Sequence, residues 1–204
     1  MVIALAGRKG GTGKSTAALH LAGALEARGS VAVLDLDSDN LSCATYAEAG
    51  RLPFEVFTAD TWPTAASRSW AFVVIDAPAR PTREQLEALA SRADLLVTPS
   101  PPDATSLRVL GRMLPDLRDL SAPYRVLVNR APPRPSRDAD RARIDLERAL
   151  VPTFETTIPE VAVMRHAARR RCLAWNVPLV RGSHVRLAFE ALAREVIDYA
   201  DTQT

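Results

Sequence analysis

The sequence predicts an α/β fold: a doubly wound, mainly parallel sheet with helices on both faces. Three observations predict it. Continuous apolar runs such as Val31–Leu36 and Ala71–Ile75 read as strands buried on both sides. Segments with apolar residues at helical spacing separate them. A glycine-rich loop joins the first apolar run directly to the first helical segment.

Taken in order, Val2–Ala6 is a short buried strand. Lys14–Arg28 is a helix, with Leu19, Leu21 and Leu25 on its apolar stripe and Gly29 as its stop. Val31–Leu36 is the second strand, Phe54–Phe57 a weak one and Ala71–Ile75 a strong one. Leu95–Thr98, Arg125–Val128 and Phe154–Ile158 complete the strands. Helices fall at Arg83–Ser91, Thr105–Arg118, Ser136–Leu150, Val161–Trp175 and His184–Ala200, the last with Ser183 as its expected N-cap. The one linker-like stretch, Ala131–Ser136, is a proline-stiffened loop too short to separate domains. Ligands of such a sheet bind at the carboxyl ends of the strands.

A chain of 204 residues is expected to form a single domain, 1–204. Its 47% apolar and 25% charged residues are ordinary for a globular protein, and no apolar run is long enough to span a bilayer. The start, Met1 to Gly7, is too short and too weakly basic for a signal peptide. Cys43 and Cys172 are isolated and read as plain thiols in a reducing cytosol. The net charge of +2 says little, but its make-up says more. Of 26 basic residues, only Lys9 and Lys14 are lysine; the rest are arginine. A compact ammonium fits between phosphate oxygens inside a tight loop, where a planar guanidinium does not.

That loop, Gly7-Arg8-Lys9-Gly10-Gly11-Thr12-Gly13-Lys14-Ser15-Thr16, follows a strand and opens a helix. This is the setting of a P-loop, and the fold is read as that of a P-loop NTPase. Glycines let successive N–H groups point inward, and the helix start adds its partial positive charge. Lys14 is expected to reach the β- and γ-phosphates, Ser15 to ligate Mg²⁺, and Thr16 to lie near the α-phosphate. Arg8 stands where the strict Walker pattern has glycine.

The run Lys9-Gly-Gly-Thr-Gly-Lys-Ser-Thr resembles the deviant Walker A signature of the ParA/MinD family of partition ATPases. The small ParA (ParF-like) type, which starts directly at the P-loop strand, is the most similar, and no N-terminal helix-turn-helix domain is expected. The resemblance implies ATP and Mg²⁺ as cofactors. It implies that Lys9 reaches across an ATP-bound sandwich dimer to the partner's phosphates, and makes Lys9, Lys14 and Asp37 the catalytic set. Asp35 and Asp37, on one face of a strand end, resemble the family's second aspartate motif. Asp37 should orient the attacking water and pair with Lys9, while Asp35 should sit near Mg²⁺. Asp76, ending Phe72-Val-Val-Ile-Asp76, resembles Walker B and should hold Mg²⁺ through water, with Ser15, or sense the γ-phosphate. Asn129 and Arg130, with Pro159 and Glu160 opposite, are the implied adenine pocket. The guanine-reading N-K-x-D pattern is absent.

From Val161 to Phe189 there is no Asp or Glu. The stretch holds Arg165, Arg169, Arg170, Arg171, Arg181 and Arg186. A surface of one sign attracts phosphates without reading sequence. The family's binding of non-specific DNA through this region makes these arginines, Arg181 aside, the candidate contacts. The implied function is DNA segregation: an ATP dimer on nucleoid DNA in the cytoplasm, its hydrolysis triggered by a ParB-like or ParG-like centromere-binding partner. Whether a higher polymer forms is left open. A MinD-like membrane positioner is disfavoured by the acidic end Asp198-Tyr-Ala-Asp. A small metabolic ligase on the same fold remains the other alternative.

Overall fold

The computed structural model describes residues 1–133, 136–178 and 182–201. Along the chain run β1 (Val2–Leu5), α1 (Lys14–Leu25), β2 (Val31–Asp35), α2 (Ser42–Ala47), β3 (Glu55–Thr58), α3 (Trp62–Ala65), β4 (Phe72–Asp76), α4 (Arg83–Ala90), β5 (Leu95–Ser100), α5 (Ala104–Arg118), β6 (Tyr124–Ala131), α6 (Asp138–Arg148), β7 (Thr153–Pro159), α7 (Ala162–Arg170) and α8 (Ser183–Asp201). The strands form one sheet in the order β3-β2-β4-β1-β5-β6-β7, every neighbouring pair parallel. This is the doubly wound α/β arrangement expected from the apolar runs.

Strand alternation divides the core into two layers. Ile3, Leu5, Val33, Val74 and Val97 face one way, packed against Leu21 and Leu25 of α1 and Phe189, Leu192 and Val196 of α8. Ala4, Leu34, Ile75 and Leu96 face the other, against Leu86 of α4 and Met113 and Leu117 of α5. Register aligns the strand ends that matter. Asp76 lies opposite Leu5 on one side and Asp35 on the other, so the phosphate loop and both strand-end carboxylates share one edge. Among the described residues no helix is long and apolar enough to cross a membrane.

Several boundaries differ from expectation. The first helix gives way to a 3₁₀ turn at Glu26–Arg28 before Gly29. The single helix expected over Val161–Trp175 is broken: α7 ends at Arg170, Arg171 turns left-handed, and a 3₁₀ turn follows at Ala174–Asn176. Ser183 is the first residue of α8 rather than its cap, since the Gly182 carbonyl already accepts the Arg186 N–H at 3.0 Å. Ala131 of the linker-like stretch is the last residue of β6, and Arg134 and Pro135 lie outside the described residues.

His20 locks α1 to the segment after α7. It is fully buried, with Phe189 stacked on it and Trp175 edge-on. Its Nδ1 lies 2.7 Å from the Thr16 carbonyl, and its Nε2 accepts the Ala174 N–H at 3.1 Å. The two contacts fix a neutral ring with the proton on Nδ1. Burial pulls its pKa down from 6.5 to about 4, against the Thr16 carbonyl, which favours the charged form. The unfolded chain therefore takes up this proton below pH 6.5, and the folded chain resists until about pH 4. Stability should fall across that window by about 3 kcal/mol from this group. Denaturant midpoints at pH 7 and pH 5 check it; a His20→Gln variant should lose some of the pH slope.

Candidate nucleotide site

The phosphate loop runs from the end of β1 to Lys14, the first residue of α1. Gly13 caps the helix at φ 86°, a left-handed value that glycine adopts without penalty. A Cβ there would also come within 2.6 Å of the Asn129 amide nitrogen. The first turn of α1 has no acidic residue and no side-chain cap, so its N–H groups are left for an anion.

A cavity of about 370 Å³ opens above this turn. Gly10, Gly11, Gly13, Lys14, Ser15 and Thr16 line it from the loop, and Asp37, Asn40, Ser42 and Tyr46 from the segment after β2. Lys14 is buried and lines this cavity. Asp37 is also buried, and its two carboxylate oxygens accept the Asn40 side-chain amide at 3.1 and 3.2 Å. Asp76 is fully buried behind Ser15. One of its oxygens has no partner among the described residues, and the other accepts the Cys43 thiol at 3.4 Å. Burial, then the neighbouring Asp35 charge, raises the Asp76 pKa to about 6, opposed by the nearby Ser15 hydroxyl, the Cys43 thiol and the charge of Lys14. A buried carboxylate oxygen with no protein donor, beside a hydroxyl at a helix start, suits a hard cation.

Asp35 has a different role. Its oxygens accept backbone N–H groups from Asp37 at 3.1 Å, Cys43 at 2.8 Å and Ala44 at 3.1 Å. These bonds shape the loop that carries Asp37, and the strand register sets Asp35 beside Asp76. In the single chain Lys9 has a resting position of its own. It does not pair with Asp37 of its own chain: its ammonium donates to the Ser106 hydroxyl at 2.7 Å and lies 3.9 Å from Asp103. Asp103 caps α5 through the Ser106 N–H at 2.9 Å, and its carboxyl is held below the usual range by the Ser106 hydrogen bond first and by Lys9 among the lesser causes. Lys9 thus rests half-exposed at the rim of the loop. Arg8, in the Walker glycine position, reaches Asp116 of α5 at 2.6 Å.

A second cavity of about 300 Å³ lies beside the first. Asn129, Arg130, Pro159 and Glu160 line it with Met164 and Phe189. The Asn129 amide donates to the Thr12 carbonyl at 2.8 Å, so its donor side supports the phosphate loop rather than standing free for a purine edge. Arg130 joins the Gly11 carbonyl to Glu160, the latter at 2.8 Å. Arg165 also lines this cavity, which places one candidate DNA contact at the nucleotide pocket. Arg171 pairs with Glu48 at 3.0 Å and Arg186 with Glu190 at 2.7 Å. Arg169 and Arg170 are exposed without an ion-pair partner among the described residues, and Arg181 lies outside those residues. Sequence reasoning missed Cys43, Tyr46 and Ser106, which share no local motif with the loop they touch.

A phosphate loop at a helix start, a buried strand-end carboxylate with one oxygen unpartnered among the described residues, and a second cavity beside them define a nucleotide-binding P-loop protein. The chain belongs to the CobQ/CobB/MinD/ParA nucleotide binding domain family, which matches residues 3–172. It is 32% identical, over 98% of its length and 94% of the relative's, to the Maintenance of carboxysome distribution protein A of Gloeobacter kilaueensis. Two solved structures share the fold. A putative plasmid partition protein of Borrelia burgdorferi B31, bound to AMPPNP, is 15% identical with a TM-score of 0.73, covering 97% of this chain and 98% of that one. The septum site-determining protein MinD of Pyrococcus horikoshii OT3, complexed with Mg-ADP, is 22% identical with a TM-score of 0.68, covering 100% and 98%.

Proposed function

We propose that this protein is an ATP- and Mg²⁺-dependent positioning ATPase of the partition type, whose ATP-bound dimer holds non-specific DNA. The observation that carries this reading is the pair of lysines on one loop. Lys14 faces its own phosphate cavity, while Lys9 rests on Ser106 at the outer rim. A cation so placed is available to a second copy's nucleotide.

In this reading the loop N–H groups and Lys14 hold the β- and γ-phosphates, and Thr16 lies by the α-phosphate. Ser15 and Asp76 would hold Mg²⁺, which supplies charge neutralisation between the phosphates. Asp37 leaves the Asn40 amide to position the attacking water. Lys9 from the partner copy completes the transition-state charge. Arg130, Pro159 and Glu160 flank the base, with Asn129 supporting the loop below it. Turnover is slow until a partner protein acts, since phosphoryl transfer here depends on positioning rather than on a strong base.

The output surface is the arginine stretch, with Arg169 and Arg170 free for phosphates and Arg171 and Arg186 available once their exposed pairs open. DNA binding would bring the protein to the nucleoid in the cytoplasm. The carboxysome-related name of the Gloeobacter relative supports a second cargo, carried by the same ATPase cycle on the same DNA track. With plasmid or chromosomal DNA as the first cargo, the partner is a ParB-like or ParG-like centromere-binding protein.

Duplex DNA of arbitrary sequence tests the reading. Binding measured with ATP, with ADP and without nucleotide should be strongest with ATP and should weaken steeply with salt. Equal binding in all three conditions would remove nucleotide-gated DNA holding as the function.

A further inference from the structure

Helix α2 lies between the phosphate cavity and the arginine stretch and is tied to both. At its start, Asp35 holds the N–H groups of Cys43 and Ala44, and the Cys43 thiol donates to Asp76. Tyr46 lines the phosphate cavity beside Asp37, Asn40 and Lys14. The hydroxyl of that same tyrosine donates to the Cys172 carbonyl at 3.4 Å. Just beyond α2, Glu48 pairs with Arg171 at 3.0 Å, and Arg51 donates to the Arg170 carbonyl at 2.8 Å. The three contacts fall on three consecutive residues, 170–172, where α7 ends.

The backbone is strained at both ends of this path. Leu41, just before α2, sits at φ 41° and ψ 47°; Arg171, just after α7, at φ 50° and ψ 52°. Residues with a side chain keep such values only where neighbours over-determine them. Leu41 is held by its N–H, which donates to the Asp37 carbonyl at 2.7 Å, while Asn40 clamps the Asp37 carboxylate. Anything that engages the Asp37 carboxylate from the phosphate side competes with that clamp. The distal pair, Glu48 with Arg171, is exposed, so it can open and re-form at little cost.

We propose that α2 is a strut that carries the state of the Asp37 loop to residues 170–172, with Tyr46, Glu48 and Arg51 as the positioning residues. They set how Arg169, Arg170 and Arg171 are presented. For its output this regulation rests on the nucleotide-gated DNA binding proposed above.

The test uses the full chain with Glu48→Gln and Arg51→Met, singly and together. Both side chains are exposed and lie outside the nucleotide cavities, so folding and basal hydrolysis stay at wild-type levels. One readout is the alkylation rate of Cys172, resolved by peptide mass, with ADP and with a non-hydrolysed ATP analogue. The other is the ratio of duplex-DNA affinity in the analogue to that in ADP. In the wild type the Cys172 rate should differ several-fold between nucleotides. In the double variant that difference and the DNA ratio should both collapse toward unity. A wild-type Cys172 rate indifferent to nucleotide overturns the strut; where wild-type DNA binding does respond to nucleotide, a double variant that keeps that response overturns it as well. If Cys172 responds, the variant loses the response, and wild-type DNA binding ignores nucleotide, the strut stands and the DNA reading fails.

Discussion

Replacing Asp37 with Asn is expected to lower ATP hydrolysis about 10²-fold or more while leaving ATP binding close to wild type. The expectation comes from where Asp37 stands. Its carboxylate faces the phosphate cavity, and its side-chain contact in this state is the Asn40 amide. Its fold-bearing bonds are made by the backbone, whose carbonyl accepts the N–H groups of Asn40 at 3.2 Å and Leu41 at 2.7 Å. Asn keeps the size and those backbone bonds but gives up the charge that would draw and orient a water. Phosphate affinity rests elsewhere, on Lys14 and the free N–H groups of the loop and first turn. Single-turnover hydrolysis together with a separate nucleotide titration reads the two effects apart. Hydrolysis at the wild-type rate in Asp37→Asn would remove Asp37 from the mechanism.

The second large effect is at Lys9. Lys9→Ala should drop ATP-driven dimer formation and cut hydrolysis toward the monomer rate, on the order of 10³-fold if Lys9 acts as a cation supplied in trans. Lys9→Arg should rescue little, because a planar guanidinium does not fit a tight phosphate loop as a point charge does. The resting contact predicts an opposite variant. Asp103→Asn keeps the cap on Ser106, since asparagine caps as well as aspartate, but removes the charge 3.9 Å from the Lys9 ammonium. Lys9 should then leave Ser106 more readily, and dimer should appear at lower ATP. Sedimentation of the three variants across an ATP series separates these outcomes. A Lys9→Ala protein that dimerises and turns over normally would sink the trans role.

The sheet and the phosphate loop were legible because both are local. A buried parallel strand is a continuous apolar run, and the loop is a contiguous string between a strand and a helix. The short helices α2 and α3 were not seen, since six and four residues carry too little periodicity to stand out from a loop. Asp35 shows the limit of alternation: pleating says which face a carboxylate takes but not that the Cys43 and Ala44 N–H groups arrive there first. Lys9 shows the limit of a motif. Its resting partner, Ser106, is 97 residues away and belongs to a helix cap, so no spacing could have named it. The arginine stretch was read along the chain as free of acid, yet Glu48 comes from 123 residues away to pair with Arg171. Arg165, counted with its neighbours by charge, lines the cavity beside Asn129 and Arg130.

The scarcity of lysine has a practical consequence. Apart from the chain start, the protein carries its side-chain primary amines only at Lys9 and Lys14. Lys14 is buried, whereas the Lys9 side chain is 36% exposed at the rim. An amine-directed reagent applied in brief pulses therefore acts as a native footprint of the Lys9 nitrogen, read apart from the chain-start amine by peptide mass. Its protection as nucleotide is added would count engaged subunits without a tag, a dye or an introduced residue.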